Sequence, residues 1–467
     1  MATHRTRTSY GRVPDNTPGA TTGWTAHAIA ADVRAGRRTA VDAVQESLAK
    51  IDRDDEVVGA FQLVRPDKAL AEAAALDADP GRDALPLAGV PIAIKDNVSV
   101  TGEPTRNGTL ASSDGVTAAD HPIVTLLRQA GAIVVGKTRT PELCIFAASD
   151  SPFGIPRNPW NLTLTPGGSS GGAAAAAAAG MVPFAHGNDG FGSIRIPSAC
   201  CGLVGIKPGR GRVPSELGPT SWYGMSENGI LATNAVDAAL GMSVLTGEPE
   251  LATIVEPEHL MVAISYRSPI QGVGADPAWH AAAHTAGTVL ARAGHEVDEY
   301  EPAYPTSAAI NGLARWFVGT ADDVDLLDPD LLQPRTKTHA AIGRLIRNYR
   351  LQDEHYADAF REYATDLLTT FDVLVTPALA RPPIEAKAWG EGSWLATMKA
   401  NVSYAPYAAP WNVIGFPAIV VPIGIHSLSG TPVAAQFVAR PGREDLLLGI
   451  AATVERLRPW LTTAPGF

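Results

Sequence analysis

The chain has 467 residues, 45% hydrophobic and 18% charged, a globular composition long enough for one large α/β domain or for two or three average ones. Its 37 basic and 48 acidic side chains give a formal charge of -11, which argues against an extended phosphate-binding surface, so nucleic acid is not expected as a partner. Three cysteines, Cys144, Cys200 and Cys201, form no disulfide framework and fit a reducing cytoplasm, and no apolar run reaches membrane-spanning length.

Residues 1–20 carry charge with no apolar segment behind them and read as a flexible tail; no linker or repeat marks a boundary within 21–467. Between Thr25 and Arg53, apolar residues at Ile29 and Val33, then at Val41, Val44, Leu48 and Ile51, predict two helices. From Leu87 to Val98 the alternation of Val90, Ile92 and Ile94 with Pro91, Ala93 and Lys95 predicts a strand, with Lys95 at its C-terminal end. A helix follows from Pro122 to Ala130, closed by Gly131, then a strand from Ala132 to Val135. The same grammar recurs after Asp276-Pro277, where a helix runs to Ala293 and a strand begins at His295. The acidic run Asp322 to Asp330 reads as a solvated loop or helix face, and Pro334 to Phe371 as long amphipathic helix. Asp372 to Thr376 predicts a short strand, and Gly415 to Gly424 a buried one bounded by prolines. This alternation is α/β construction.

Three motifs mislead. Residues Gly131 to Thr138 match the phosphate-loop pattern, but Ala132 to Val135 form an apolar strand rather than a flexible turn, and Lys137 reads as solvent-facing. Gly167-Gly-Ser-Ser-Gly171 matches the nucleophile elbow of α/β-hydrolases without the apolar strand that should precede it, although His426 keeps an esterase of that type open. His280 and His284 stand four apart on one helix face with no third ligand in view, so no metal is expected. The cysteines read as small buried packing residues.

The chemistry concentrates between Gly167 and Pro197. Ser169 and Ser193 stand 24 positions apart in glycine-dense backbone, which can turn its N–H groups toward one point and hold a developing oxyanion. With Lys95 upstream, that suggests acyl transfer. The segments Gly89-Val-Pro-Ile-Ala-Ile-Lys-Asp-Asn97, Arg157-Asn-Pro-Trp-Asn161, Gly167-Gly-Ser-Ser-Gly-Gly172, Gly187-Asn-Asp-Gly-Phe-Gly-Ser-Ile-Arg-Ile-Pro197 and Cys201-Gly-Leu-Val-Gly-Ile-Lys-Pro208 carry a resemblance to the amidase signature family of serine hydrolases. Trp411-Asn-Val-Ile-Gly-Phe-Pro-Ala418, Gln436 and Arg440-Pro441 extend it over nearly the whole chain after the tail, and residues 187–212 resemble the branch acting on nylon-type cyclic amides.

The resemblance implies one amidase signature domain over 21–467, a large twisted mixed β-sheet flanked on both faces by helices. It implies hydrolysis of a linear or cyclic amide through an acyl-enzyme on Ser193, with Ser169 as proton relay, Lys95 as general base and a cis peptide at Gly168–Ser169. A lysine so used must titrate roughly 3 units below 10.4, about 4 kcal/mol of differential stabilisation, which burial without a carboxylate partner supplies. Backbone N–H groups of Gly190, Phe191, Gly192 and Ser193 are the expected oxyanion donors, with Ser170, Asp189 and Arg195 bracing them. Phe191 departs from the family, where a small residue is usual, and its ring would narrow the acyl pocket. Trp222, Tyr223, Trp316 and Phe317 are candidates for lining that pocket. No cofactor is called for; the expected partner is a small-molecule amide, with no nucleic acid, no membrane and a homodimer allowed for. The alternative reading is the amidase subunit of a glutamine-dependent transamidating complex.

Overall fold

The structure is a computed structural model that describes residues 23–467; the tail expected over 1–20 lies outside them. Eleven strands form one sheet: β1 (Phe61–Val64), β2 (Pro91–Lys95), β3 (Ile133–Thr138), β4 (Phe184–Asp189), β5 (Val204–Lys207), β6 (Glu227–Ala232), β7 (Met261–Ile264), β8 (Glu296–Glu299), β9 (Val373–Pro377), β10 (Ala418–Ile425) and β11 (Pro432–Val438). Their spatial order is β1-β3-β2-β4-β6-β5-β10-β11-β9-β7-β8. Parallel pairs β3/β2, β2/β4, β9/β7 and β7/β8 lie toward the two ends, and antiparallel pairs fill the centre. The sheet is therefore mixed, and strands β2 to β6 and β9 and β11 are buried along their whole length. Helices cover both faces, which is why these strands are buried on both sides. The edge strand β8, Glu-Val-Asp-Glu, is mostly exposed, and its charges discourage pairing with another chain.

Most predicted elements stand within a few residues of their expected bounds. The two early helices are Ala26–Arg34 and Ala40–Val58, the second opened by a capping box between Thr39 and Asp42. Helix Pro122–Gln129 leads into β3, and Pro277–Arg292, capped by the Asp276 carboxylate, into β8. The long helix expected over 334–371 is broken: Pro334–Ile346 ends in a short turn where Arg350 takes a left-handed φ of 54°, and Asp358–Thr370 begins afresh. Leu345 and Tyr349 are exposed and share no buried face with Phe360 and Leu367.

Lys137 faces no solvent. β3 continues to Thr138 and buries it, its Nζ 2.8 Å from Asp96 Oδ1 and donating to the Pro104 carbonyl and to Thr105 Oγ1. This pair draws Asp96 away from Lys95, its chain neighbour. β4 was not anticipated, because Gly187-Asn188-Asp189 has poor strand propensity; burial between β2 and β6 overrides it. Helix Gly171–Ala178 is buried on every residue, and its alanines let it lie close against the sheet.

Lys137→Met removes one partner of a buried ion pair and is expected to lower stability by about 3–5 kcal/mol, read by urea denaturation.

Candidate active site

β2 and β4 are parallel neighbours, with Ala93 opposite Ala185, so Lys95 and Asn188 emerge at the same C-terminal edge of the sheet. Loops at such an edge are free to carry chemistry while the strands hold position. Lys95 is fully buried; its Nζ lies 2.7 Å from Ser169 Oγ and 2.7 Å from Asn188 Oδ1. Burial pushes the Lys95 ammonium down from its ordinary value, against an opposing pull from Cys144 and Asp189. A neutral amine suits these contacts: it donates to the Asn188 oxygen and accepts from the Ser169 hydroxyl. Asn188 in turn donates to Asn97 Oδ1 at 2.7 Å, fixing its amide. Asn188 and Asn97 lay inside the recognised segments, but only the fold turns them toward Lys95.

Ser169 follows a cis peptide from Gly168 and precedes the alanine helix. Ser170 directs its hydroxyl to the Asn188 carbonyl at 3.2 Å, and its N–H donates to the Ser193 carbonyl at 3.2 Å, tying the two serine loops together. Ser193 Oγ makes no hydrogen bond to Ser169 or to any other described residue. Catalytic contacts of this kind often tighten only around substrate.

The loop 190–194 is held by one carboxylate. Asp189 accepts from the N–H groups of Gly192 (2.7 Å), Ile194 (3.2 Å) and Arg195 (3.3 Å), from the Arg195 guanidinium (2.9 and 3.0 Å) and from Asn412 Nδ2 (2.8 Å). Burial alone would raise this carboxyl, but Arg195, Lys207 and Asn412 outweigh it and hold it well below the usual carboxylate range. Arg195 also donates to Gln436 Oε1, Asn412 Oδ1 and the Ala408 carbonyl. Asn412 and Gln436 were matched in sequence without a role; both anchor this pair.

Gly192 is therefore not an oxyanion donor. It stands at φ 115°, a conformation that favours glycine, and its N–H is bound to Asp189. The N–H groups of Gly190, Phe191 and Ser193 have no hydrogen-bond partner among the described residues. Gly190 leaves no room for a side chain: a Cβ there would stand 2.6 Å from Ser226 Oγ and 2.8 Å from the Trp222 ring.

Two pockets meet at Ser193. One is an apolar cleft enclosing about 1020 Å³ of space open to solvent, bounded by Phe191, Trp316, Ile145, Leu313 and Val413, with no charged side chain in its lining. The other is smaller and polar, shared by Ser169, Ser193, Asn97, Asn188, Cys144 and Asp323. The Phe191 ring stacks on Trp316, centroids 5.3 Å apart, and forms part of the cleft wall. Trp316 thus lines the cleft as expected. Trp222 lines the polar pocket instead, donating from Nε1 to Asp323 at 3.1 Å. Tyr223 and Phe317 line neither: Tyr223 donates to Asp322, and Phe317 stacks on the buried His339.

Other expectations need correction. Cys144 is a half-buried residue at a left-handed φ of 59°, facing the polar pocket beside Thr140, while Cys200 and Cys201 are buried as expected. The acidic run is not uniformly solvated, since Asp323 turns inward. His426 lies 3.2 Å from Asp276 and contributes to a helix cap region, not to either serine. His284 contacts the Tyr266 hydroxyl, and His280 stacks on the Tyr266 ring.

Comparison with known proteins gives the family. The amidase family profile matches residues 42–448. AmiB2 of Mycobacterium tuberculosis, which carries the name of an amidase, is 40% identical over 444 residues, covering 92% of this chain and 95% of that protein. An acylamidase of Rhodococcus erythropolis is 33% identical over 91% of each chain. The solved structure of a 6-aminohexanoate cyclic dimer hydrolase complexed with substrate superposes with a TM-score of 0.81 at 28% identity, covering 95% of this chain and 98% of that one. The chain belongs to the amidase signature family and is an amide hydrolase. No helix among the described residues is long and apolar enough to cross a membrane.

Asp189→Asn leaves the Arg195 guanidinium buried without its counter-charge and is expected to cost about 3–5 kcal/mol in chemical denaturation. Phe191→Ala removes the ring stacked on Trp316. Its expected effect is a KM for bulky apolar acyl amides raised about 2- to 10-fold, the worth of an aromatic pair, in steady-state kinetics.

Proposed function

We propose that this amidase cleaves a carboxylic acid amide to the acid and ammonia or an amine through an acyl-enzyme on Ser193. Ser169 relays the proton and Lys95 is the base. What carries the reading is a fully buried lysine amine 2.7 Å from Ser169 Oγ with no carboxylate in contact, beside a second serine whose own N–H and those of Gly190 and Phe191 are unpaired among the described residues. Ser193 attacks the carbonyl carbon while its proton passes to Ser169 Oγ and the Ser169 proton to Lys95 Nζ. The N–H groups of Gly190, Phe191 and Ser193 are the candidates to hold the oxyanion. On collapse the proton returns from Lys95 through Ser169 to the leaving nitrogen. Water then attacks the acyl-enzyme through the same relay.

This proton path orients the substrate. The leaving nitrogen must reach Ser169, which lines the polar pocket and not the apolar cleft. The acyl half then occupies the cleft, whose uncharged lining suits a bulky aliphatic or aromatic acid. Glutamine, with an ammonium and a carboxylate on its acyl half, finds no partner there, so a free-standing amidase is favoured over a transamidating subunit. The α/β-hydrolase alternative lacks support: no strand directly precedes Ser169, and His426 is engaged with Asp276.

Ser193→Ala is expected to abolish both turnover and labelling by a fluorophosphonate; labelling that persists would move the nucleophile, with Ser169 the first suspect. Lys95→Ala should slow amide hydrolysis by roughly 10²- to 10⁴-fold and ester hydrolysis less, because an alkoxide leaves with less help from a proton. The base works only unprotonated, so kcat/KM should rise with pH as Lys95 loses its proton, along a limb lying below the ordinary lysine value of 10.5. A pH profile that is flat in Lys95→Ala and ascending in the parent enzyme checks this.

A further inference from the structure

Asp323 is the carboxylate of the polar pocket, and nothing in the hydrolytic relay requires it. It sits near the end of the helix Thr306–Val324, half-buried. Its Oδ2 accepts from Trp222 Nε1 at 3.1 Å, whereas Oδ1 has no hydrogen-bond partner among the described residues. Oδ1 packs against Gly218, where a Cβ would stand 2.6 Å from it. Trp222 is aimed at this carboxylate by a left-handed turn: Ser221, Trp222, Tyr223 and Gly224 all have positive φ, 47°, 49°, 56° and 73°. Outside glycine such backbone costs about 1–2 kcal/mol per residue, so tertiary contacts hold the turn in place. The neighbouring charges do not neutralise Asp323. Asp322, next to it, is tied to the Tyr223 hydroxyl and to Arg347, 2.9 Å away, and Glu216 on the facing loop is exposed. Across the pocket stand Cys144 and, behind Ser169, Lys95.

We propose that Asp323 is a specificity-determining residue of the leaving-group pocket, its Oδ1 accepting a hydrogen bond from an ammonium group carried on the amine half of the substrate. Resting on the orientation assigned above, this deepens it: the preferred substrates join an apolar acid to a small amine that bears a second, cationic nitrogen. A carboxylate in a confined pocket attracts such a cation far more strongly than it would in water. Burial, with Asp322 adding to it and Trp222 opposing, raises the Asp323 carboxyl to about 7. The selectivity should therefore switch on as pH rises through that value and the carboxyl loses its proton.

The test compares two amides sharing a 3-phenylpropanoyl group, the monoamide of 1,2-diaminoethane and the propylamide, which match in size and differ in the terminal charge. In the parent enzyme the diamine substrate should be favoured in kcat/KM by about tenfold or more above that pH while its terminal amine is still protonated, the worth of one hydrogen bond between charged groups. That ratio should fall as pH drops through about 7. In Asp323→Asn it should collapse toward unity and lose its pH dependence, whatever the absolute rates. A ratio near unity in the parent enzyme, or one that survives Asp323→Asn, overturns the assignment. Should that variant not fold, the pH profile of the ratio in the parent enzyme decides, a flat profile counting against the proposal. Ser193→Ala on the same substrates separates the two levels: turnover remaining there defeats the catalytic reading, whereas its loss with no amine preference defeats only the role of Asp323.

Discussion

The buried pair between Asp189 and Arg195 is the constraint on which the site depends. Two charges are removed from water at a cost of several kcal/mol each, and their mutual attraction repays it only when the remaining donors and acceptors are satisfied. Here they are: the carboxylate takes the N–H groups of Gly192, Ile194 and Arg195 and an Asn412 amide, while the guanidinium reaches Gln436, Asn412 and the Ala408 carbonyl. Gly192, Ile194 and Arg195 point their N–H groups at Asp189, whereas those of Phe191 and Ser193 point elsewhere. These two N–H groups are left without a partner among the described residues, beside the Ser193 hydroxyl. One ion pair so determines which part of the loop is structural and which part is open to a substrate.

Lys95 shows the complementary strategy. Its strand neighbour Asp96 would have kept an adjacent ammonium charged, yet pairing with Lys137 draws that carboxylate to another partner. Lys95 is left with Ser169 and the Asn188 amide, dipoles rather than charges, and burial then favours its neutral form. Around it the site is divided by polarity. The cleft walled by Phe191 and Trp316 offers almost only carbon, the pocket beyond Ser169 offers amides, a thiol and one carboxylate, and Ser193 is common to both.

How far the sequence could be read differed by kind of residue. Lys95, Ser169, Ser193, Asp189 and Arg195 lie in dense local motifs, and the strand holding Lys95 was visible from its alternation. Gly192 was misread as an oxyanion donor because only the direction of its N–H, decided by Asp189, separates it from its neighbours. The aromatic candidates divided for a similar reason: Trp222 and Trp316 reach the pockets through the left-handed turn at 221–224 and the packing of the helix Thr306–Val324, while Tyr223 and Phe317, one residue along, point elsewhere. Cys144 and Asp323 gave no signal, since lone polar residues in loops and helix ends carry no periodicity, and Asn188, though inside a recognised segment, gave no sign of its contact with Lys95.

By itself, then, the sequence determined the family, the α/β alternation and the segments that carry Lys95, Ser169 and Ser193, because those depend on short stretches whose spacing constrains their chemistry. Tertiary structure alone decided the strand order that sets Lys95 beside Asn188, the removal of Asp96 by Lys137, and the meeting of an apolar and a polar pocket at Ser193. Each of these joins residues tens to hundreds of positions apart, and the direction of a side chain or an N–H group at such a meeting is settled by packing and charge compensation, not by local pattern.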